Sequence, residues 1–340
     1  MNLRFNKNTQ LAILYITTLT ICIGIGIVAM WYFMQNGEGI YSSEETKSSD
    51  EYEEITSQKP TPSTQSISNK NICGLQNRGN TCFFNASIQC ILSMKDLCDH
   101  IKTKDYVNES VCKAFKAFIT EYEKTSDVLN PQSFIDKIKH KIDLFDGKQH
   151  DAQEFILNFF QIICEEDDQI NPLIDVKWIE TIECKKCNLY KTEKITPETI
   201  QGITICKSIQ EGLDANECKE IITDYTCSNC SHTGNIHKER KIKSSGRYLI
   251  LHLLRFNNRC EKIQKKILIN EILNTCNKAY KLIGIVCHGG SFSGGHYWSY
   301  VVRNNIWYNA NDSCCTQHNP SVECEESIYL AFYEEIESTS

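Results

Sequence analysis

The sequence predicts an α+β domain placed behind a hydrophobic N-terminal segment. Two patterns carry the fold class. Between about residues 83 and 145 the apolar residues recur at helical spacing. From about residue 195 the chain turns to runs rich in Ile, Thr and Tyr at strand spacing. Helices first and strands afterwards is the α+β order, not the alternation that builds a parallel sheet. With 340 residues, 41% of them hydrophobic, there is material for a sizeable core in one large domain or two ordinary ones.

The elements follow in order. Residues 1–10 are short and polar. Residues 11–33 carry no charge. At about 1.5 Å per residue they extend roughly 34 Å, against a bilayer core of about 30 Å. Trp31 and Tyr32 at the end suit an interfacial aromatic belt. A signal-peptide core is shorter, about 7–15 residues, so the expectation is a transmembrane helix and membrane association through it. Residues 34–71 are rich in Ser, Thr, Glu and Lys, hold Pro60 and Pro62, and lack an apolar period. They read as a disordered acidic linker. From residue 72 to residue 336 the composition is globular. Helices are expected over 83–98, 112–124 and 131–145, and strands over 247–256, 281–287, 297–303 and 327–333.

Charge and cysteine content narrow the function. A net charge of −7 does not suit a nucleic-acid binder. The 19 cysteines are odd in number and include two Cys-x-x-Cys pairs. That favours free thiols and a metal site in a reducing compartment over a disulfide framework. It also argues for a cytosolic domain, although Arg4 and Lys7 ahead of the hydrophobic run vote weakly for the opposite topology.

The chemistry centres on Gly74-Leu75-Gln76-Asn77-Arg78-Gly79-Asn80-Thr81-Cys82-Phe83-Phe84-Asn85-Ala86. Glycines and short polar residues make a bent loop, and a helix former follows. Thr81 or Asn80 is the expected N-cap. Cys82 then lies in the first helical turn, where the macrodipole is expected to lower the thiol pKa. Such a nucleophile needs a base. Among nine histidines, His296 stands out in Gly294-Gly295-His296-Tyr297-Trp298, where paired glycines precede a strand and leave the ring at a cleft edge. A strand over Trp307-Tyr308-Asn309-Ala310-Asn311-Asp312 would return beside it after the Arg303-Asn304-Asn305 turn. It offers Asn311 or Asp312 to orient the imidazole.

The stretch from Gly74 to Ala86 resembles the cysteine box of the ubiquitin-specific proteases at every fixed position. The run from His288 to Tyr297 resembles that family's histidine box, in which the second histidine, His296, is the base and His288 is structural. The resemblance makes Asn311 the third member, with Asp312 as the alternative, and Asn77 the side-chain oxyanion donor beside the Cys82 N–H. Gln149-His150-Asp151-Ala152-Gln153-Glu154-Phe155 resembles a further block, with Asp151 and Glu154 near the ubiquitin tail or serving as a capping box. Two departures are Ala310, where the family has a bulky aromatic, and Leu254, where it has Lys.

Cys184 and Cys187, with Cys227 and Cys230, form two knuckles that together complete a closed Cys₄ site. This is the structural zinc arrangement, with no open position for catalysis. The resemblance covers about residues 72–336. It implies a papain-like fold with a helical thumb, a β-rich palm and zinc-bearing β fingers. It implies thiol-dependent hydrolysis after the C-terminal glycine of ubiquitin, on ubiquitinated proteins, with no catalytic cofactor. A protease for another ubiquitin-like modifier and a silent ubiquitin-binding membrane scaffold are the alternatives. Some family members with N-terminal anchors face the cytosol from the mitochondrial outer membrane or the endoplasmic reticulum, and the resemblance implies a single-pass protein with a cytosolic catalytic domain here.

Overall fold

The computed structural model describes residues 72–320 and 326–337. The hydrophobic run 11–33 and the linker 34–71 lie outside these residues. Among the described residues, no helix is long and apolar enough to cross a membrane.

The first half is helical. Its helices are α1 (Cys82–Ile91), α2 (Lys95–Thr103), α3 (Val111–Lys124), α4 (Gln132–Ile138) and α5 (Ala152–Glu166). Strands β1 (Gly74–Leu75) and β2 (Val128–Leu129) pair in parallel and tie the loop before Cys82 to the helical half. The single helix expected over 83–98 is broken at residues 92–94. Arg303 reaches across from the sheet and donates to the Gln89 carbonyl at 2.7 Å and to the Ser93 hydroxyl. A side chain thus satisfies an end carbonyl of α1 in place of another turn. The helix expected over 131–145 keeps only α4, and turns follow it, with Ile142 and Leu144 buried from the loop. Apolar loop residues that face the core imitate a helical period. α3 begins where the Ser110 hydroxyl accepts from the Lys113 N–H at 3.0 Å.

After β1 and β2, the strand-rich part begins at residue 176, earlier than the sequence pattern suggested. They are β3 (Val176–Cys184), β4 (Leu189–Glu198), β5 (Ile200–Ile203), β6 (Lys219–Thr226), β7 (Thr233–Ser245), β8 (Tyr248–Leu253), β9 (Ile272–Thr275), β10 (Lys278–Ser291), β11 (Gly294–Arg303), β12 (Ile306–Asn311), β13 (Cys314–Gln317) and β14 (Ile328–Glu335). They form an eight-stranded sheet of order β13-β12-β11-β10-β14-β8-β5, with β9 on β10, and a four-stranded sheet of order β4-β3-β7-β6. Asn304 and Asn305, at φ 50° and 62°, make the two-residue left-handed turn between β11 and β12. Such a turn matches the natural twist of a hairpin.

Every residue of α1 is buried. The helix lies between α5 and the face of β10, β11 and β12. Phe84 meets Phe155 edge-on at 5.3 Å and Phe83 meets it at 6.1 Å. A helix enclosed on all sides belongs at the centre of a core, not at its surface. The opposite face of the large sheet carries a second core around Trp178, Leu249, Leu251 and Tyr280. With both faces covered, a slip of one residue in any central strand would exchange two buried surfaces, so the register is tightly set. That register fixes where the end of β12 falls relative to the start of β11.

Candidate active site

The loop before α1 runs through two left-handed residues, Gly79 at φ 90° and Asn80 at φ 55°. Gly79 meets this backbone requirement without strain. Asn80 is held there by its side-chain amide, which donates to the Gly147 carbonyl at 2.8 Å. Asn77 Oδ1 accepts from the N–H groups of Gly79 and Thr81, both at 3.1 Å. Thr81 occupies the N-cap position, but its hydroxyl takes the Arg78 N–H at 2.9 Å, and α1 starts with no side-chain cap. The expected capping by Thr81 or Asn80 is therefore not what the loop does. The Thr81 hydroxyl is spent inside the turn and the Asn80 amide on Gly147, and the first N–H groups of α1 have no side-chain cap.

Cys82 is buried at the start of α1. Burial pushes its thiol above the usual range, outweighing the backbone N–H groups of Tyr297, Phe83 and Cys82 itself, which favour the thiolate; Asp312 pushes it up further. The sequence expectation of a lowered thiol pKa is overturned. The helix-start N–H groups do act, but removing the sulfur from water costs more.

His296 stands on β11. Its Nε2 lies 2.6 Å from Asn311 Oδ1. A carbonyl oxygen can only accept, so Nε2 carries the hydrogen and Nδ1 is left bare to take a proton. Trp298 stacks beside the ring at 6.3 Å between centroids. Among the described residues no hydrogen bond joins the Cys82 thiol to His296 in this conformation. Asn311 and Asp312 part company at the end of β12, because Asp312 turns left-handed at φ 48°. Its carboxylate accepts from Asn77 Nδ2 at 2.9 Å and from Asn85 Nδ2 at 2.7 Å. Of the two candidates for orienting the imidazole, only Asn311 touches it. Asp312 instead fixes the Asn77 amide, whose second N–H has no partner among the described residues.

Cys82 opens on a cavity of about 360 Å³. His288 lines it but is not placed as a base. It is buried, its Nδ1 has no partner among the described residues, and burial, with Lys262 nearby, lowers it to about 4. It is therefore neutral near neutral pH. Asp151 caps α5, accepting from the N–H groups of Gln153 at 2.6 Å and Glu154 at 3.2 Å, while its other oxygen accepts from the Tyr329 hydroxyl. The capping half of the expected box is present. Glu154 is left on the cavity wall without a return bond. Leu254, 45% exposed, sits on the apolar rim with Phe256 and Phe292. Ala310 is buried opposite Ser299 of β11.

At the end of the four-stranded sheet the sulfurs of Cys184, Cys187, Cys227 and Cys230 lie within 4.8 Å of one another. Cys184 and Cys230 are 3.9 Å apart, and Cys187 and Cys227 are 3.8 Å apart. A tetrahedron with Zn–S bonds of about 2.3 Å has edges of about 3.8 Å. Four soft donors at that spacing fit zinc, and no fourth position is left for water or substrate. Two residues were missed as site candidates in the sequence. Asn85 could have been found, since it lies inside the cysteine box. The pairing of Gln149 with Gly295, described below, has no signal in local pattern.

A buried thiol at a helix start beside a cavity and, on the neighbouring strand β11, a histidine held by an asparagine are the parts of a cysteine hydrolase. The family follows from comparison with known proteins. The model described as "Ubiquitin carboxyl-terminal hydrolase" matches residues 73–333, and the chain belongs to that family. It is similar to ubiquitin carboxyl-terminal hydrolase 17-like protein C of Mus musculus, at 26% identity over 300 residues, covering 77% of this chain and 54% of the relative. It is also similar to ubiquitin carboxyl-terminal hydrolase 23 of Arabidopsis thaliana, at 23% identity over 301 residues, covering 76% of this chain and 35% of the relative. The chain spans about half the length of the first of these relatives. The fold resembles a chain in the SAGA DUB module of Ubp8, Sgf11, Sus1 and Sgf73 bound to monoubiquitin. There the TM-score is 0.69 at 22% identity, covering 82% of this chain and 72% of that one.

Proposed function

We propose that this chain is a thiol-dependent deubiquitinase that hydrolyses the peptide or isopeptide bond after the C-terminal glycine of ubiquitin. The observation that carries the reading is the His296–Asn311 pair at 2.6 Å, on the strand whose next residue, Tyr297, turns its N–H to the Cys82 thiol. Family membership and the likeness to a structure bound to monoubiquitin support the choice of substrate.

With the thiol raised by burial, proton transfer accompanies attack in this reading. Cys82 starts as a thiol, and His296 Nδ1 takes its proton as the sulfur approaches the carbonyl carbon. The C=O π pair moves to oxygen. The oxyanion is met by the Cys82 N–H and by the free Asn77 N–H that Asp312 aims. The oxygen pair then returns, the C–N bond breaks, and His296 gives its proton to the leaving amine. Water, deprotonated by His296, attacks the thioester and releases the thiol and the ubiquitin carboxylate. Asn311 keeps the imidazole in the required tautomer without adding a charge. The four-cysteine site would supply structure only: Cys184, Cys187, Cys227 and Cys230 would hold a zinc that ties the β3–β4 turn to the β6–β7 turn.

The same proposal assigns residues 11–33 as the membrane anchor, residues 34–71 as the tether and the cytosol as the side of the catalytic domain. Protease protection in sealed vesicles tests that placement. A protected domain would overturn it.

The direct test uses ubiquitin with a fluorogenic group on its C-terminus. Wild type releases the group, and Cys82→Ala lowers turnover at least about a thousandfold while still binding ubiquitin. Turnover retained by Cys82→Ala would sink the assignment of the nucleophile. No release by folded, zinc-loaded wild type would sink ubiquitin as the substrate.

A further inference from the structure

Gln149 makes an unusual pair of bonds across the cleft. Its Nε2 donates to the Gly295 carbonyl at 3.0 Å, and the Gly295 N–H donates to its Oε1 at 2.8 Å. A side-chain amide thus meets a backbone peptide through one donor and one acceptor each, the pattern of a bridge between two strands. Both residues line the cavity that ends at Cys82. A Cβ on Gly294 would lie 2.9 Å from Gln149 Oε1, and one on Gly295 would collide with His288 and the Gly289 carbonyl. The paired glycines admit the amide from one side and the buried histidine from the other.

The strand edge involved is otherwise open. β11 pairs with β10 from Gly294 to Val301, but with β12 only from Ser299 onward. Residues 294–298 therefore keep one unpaired edge. Gly295 and Tyr297 present their backbone groups to that edge, since residues two apart in a strand face the same way. The Tyr297 N–H lies against the Cys82 thiol. Gly295 is thus one strand step, about 6.6 Å, from the group that touches the nucleophile. An extended chain that reached Cys82 along this edge would pass within pairing distance of Gly295. Exposed strand edges recruit extended peptides in this way.

We propose that the free edge of β11 at Gly295 pairs with the backbone of the tail that is cleaved, and that Gln149 holds this edge as a displaceable stand-in for a peptide group. Gln149 is exposed, so water competes for its amide and the clasp gives little net stability. That weakness suits a group meant to leave. When the tail pairs, Gln149 is released and the peptide next to His296 stays fully bonded throughout. Gln149 is a positioning residue; it does not touch the reacting atoms. The proposal rests on the reading that the substrate enters as an extended tail.

The test compares the full chain, wild type, with Gln149→Ala and Gln149→Met. Steady-state kinetics use the fluorogenic ubiquitin substrate, and mass spectrometry follows backbone hydrogen exchange over residues 289–297. Removing the competing amide is expected to lower KM by about five- to tenfold in both variants, leaving kcat within about twofold. Exchange in the free variants should be faster than in wild type, with protection regained on binding ubiquitin. An unchanged or raised KM, or a loss confined to kcat, would overturn the stand-in role. Equal exchange in all three chains would remove the clasp itself. If wild type releases nothing from ubiquitin, the substrate reading fails and exchange alone decides the clasp: acceleration upholds it and equality rejects it.

Discussion

The two cysteine sites of this molecule use the same atom for opposite ends. At the tip of the four-stranded sheet, four sulfurs converge within 4.8 Å and leave no open face. At the start of α1, one buried sulfur faces a cavity and the Tyr297 N–H of β11, the strand that also carries His296. Convergence makes a grip and isolation makes a nucleophile. Neither outcome is a property of cysteine alone. It is set by how many thiols the backbone brings together and by whether one side stays open to a substrate.

The sharpest way to break the comparison is to open the closed site. Chelating the metal, or making Cys227→Ser with Cys230→Ser, should cost several kcal/mol of stability in the four-stranded sheet, since structural zinc contributes about 10–16 kcal/mol in small zinc domains. Hydrogen exchange should rise in β3, β4, β6 and β7 while α1 stays protected. Uniform loss across both sheets would show that the sites are not energetically separate.

Next is reactivity. The Cys82 thiol is raised by burial, so it is protonated at neutral pH in the free enzyme. Its alkylation by iodoacetamide should climb about tenfold per pH unit from pH 7 to 9, as the thiolate fraction does. The zinc-loaded cysteines should stay unlabelled. A rate already flat at pH 7 would mean a preformed thiolate.

A smaller effect belongs to Asp312. Asp312→Ala frees the Asn77 amide and should lower kcat about ten- to a hundredfold with little change in KM, the signature of a weakened oxyanion site. A loss mainly in KM would place Asp312 in substrate binding instead.

A last effect, on stability rather than turnover, concerns His288, lowered to about 4 by burial. Its unfolded value is about 6.5, so the folded state resists its protonation. Stability is full above that value and falls as pH drops towards 4, by about 3 kcal/mol. His288→Gln should flatten this limb of a urea-unfolding series between pH 6.5 and 4. An unchanged slope would acquit His288.

Much of the site was legible because it lies in short contiguous blocks. The Cys82 loop, the glycines before His296 and the two Cys-x-x-Cys knuckles each announce their chemistry locally. Asn311 was legible through its distance from Trp307. What failed was whatever depends on surroundings. The thiol pKa turned on burial, which a helix-start argument does not contain. The capping expectation failed because Thr81 found a partner in Arg78 three residues back. The division of labour between Asn311 and Asp312 needed the left-handed turn at 312 and a partner 235 positions away. The helix expected over 131–145 shrank because Ile142 and Leu144 are buried from a loop. The Gln149 clasp joins two blocks that were each visible, through contacts that neither contains.

The complete enclosure of α1 has one more consequence. Because all of its residues are buried, this helix cannot fray by itself; it opens only when the surrounding core does. Catalytic competence and an intact interior are therefore lost together. A population of these molecules that has aged, been heated or been damaged should contain fully working copies and dead ones, with few of intermediate quality. Titrating Cys82 with a stoichiometric label then counts native molecules directly, and the turnover per labelled site should stay constant as the sample decays.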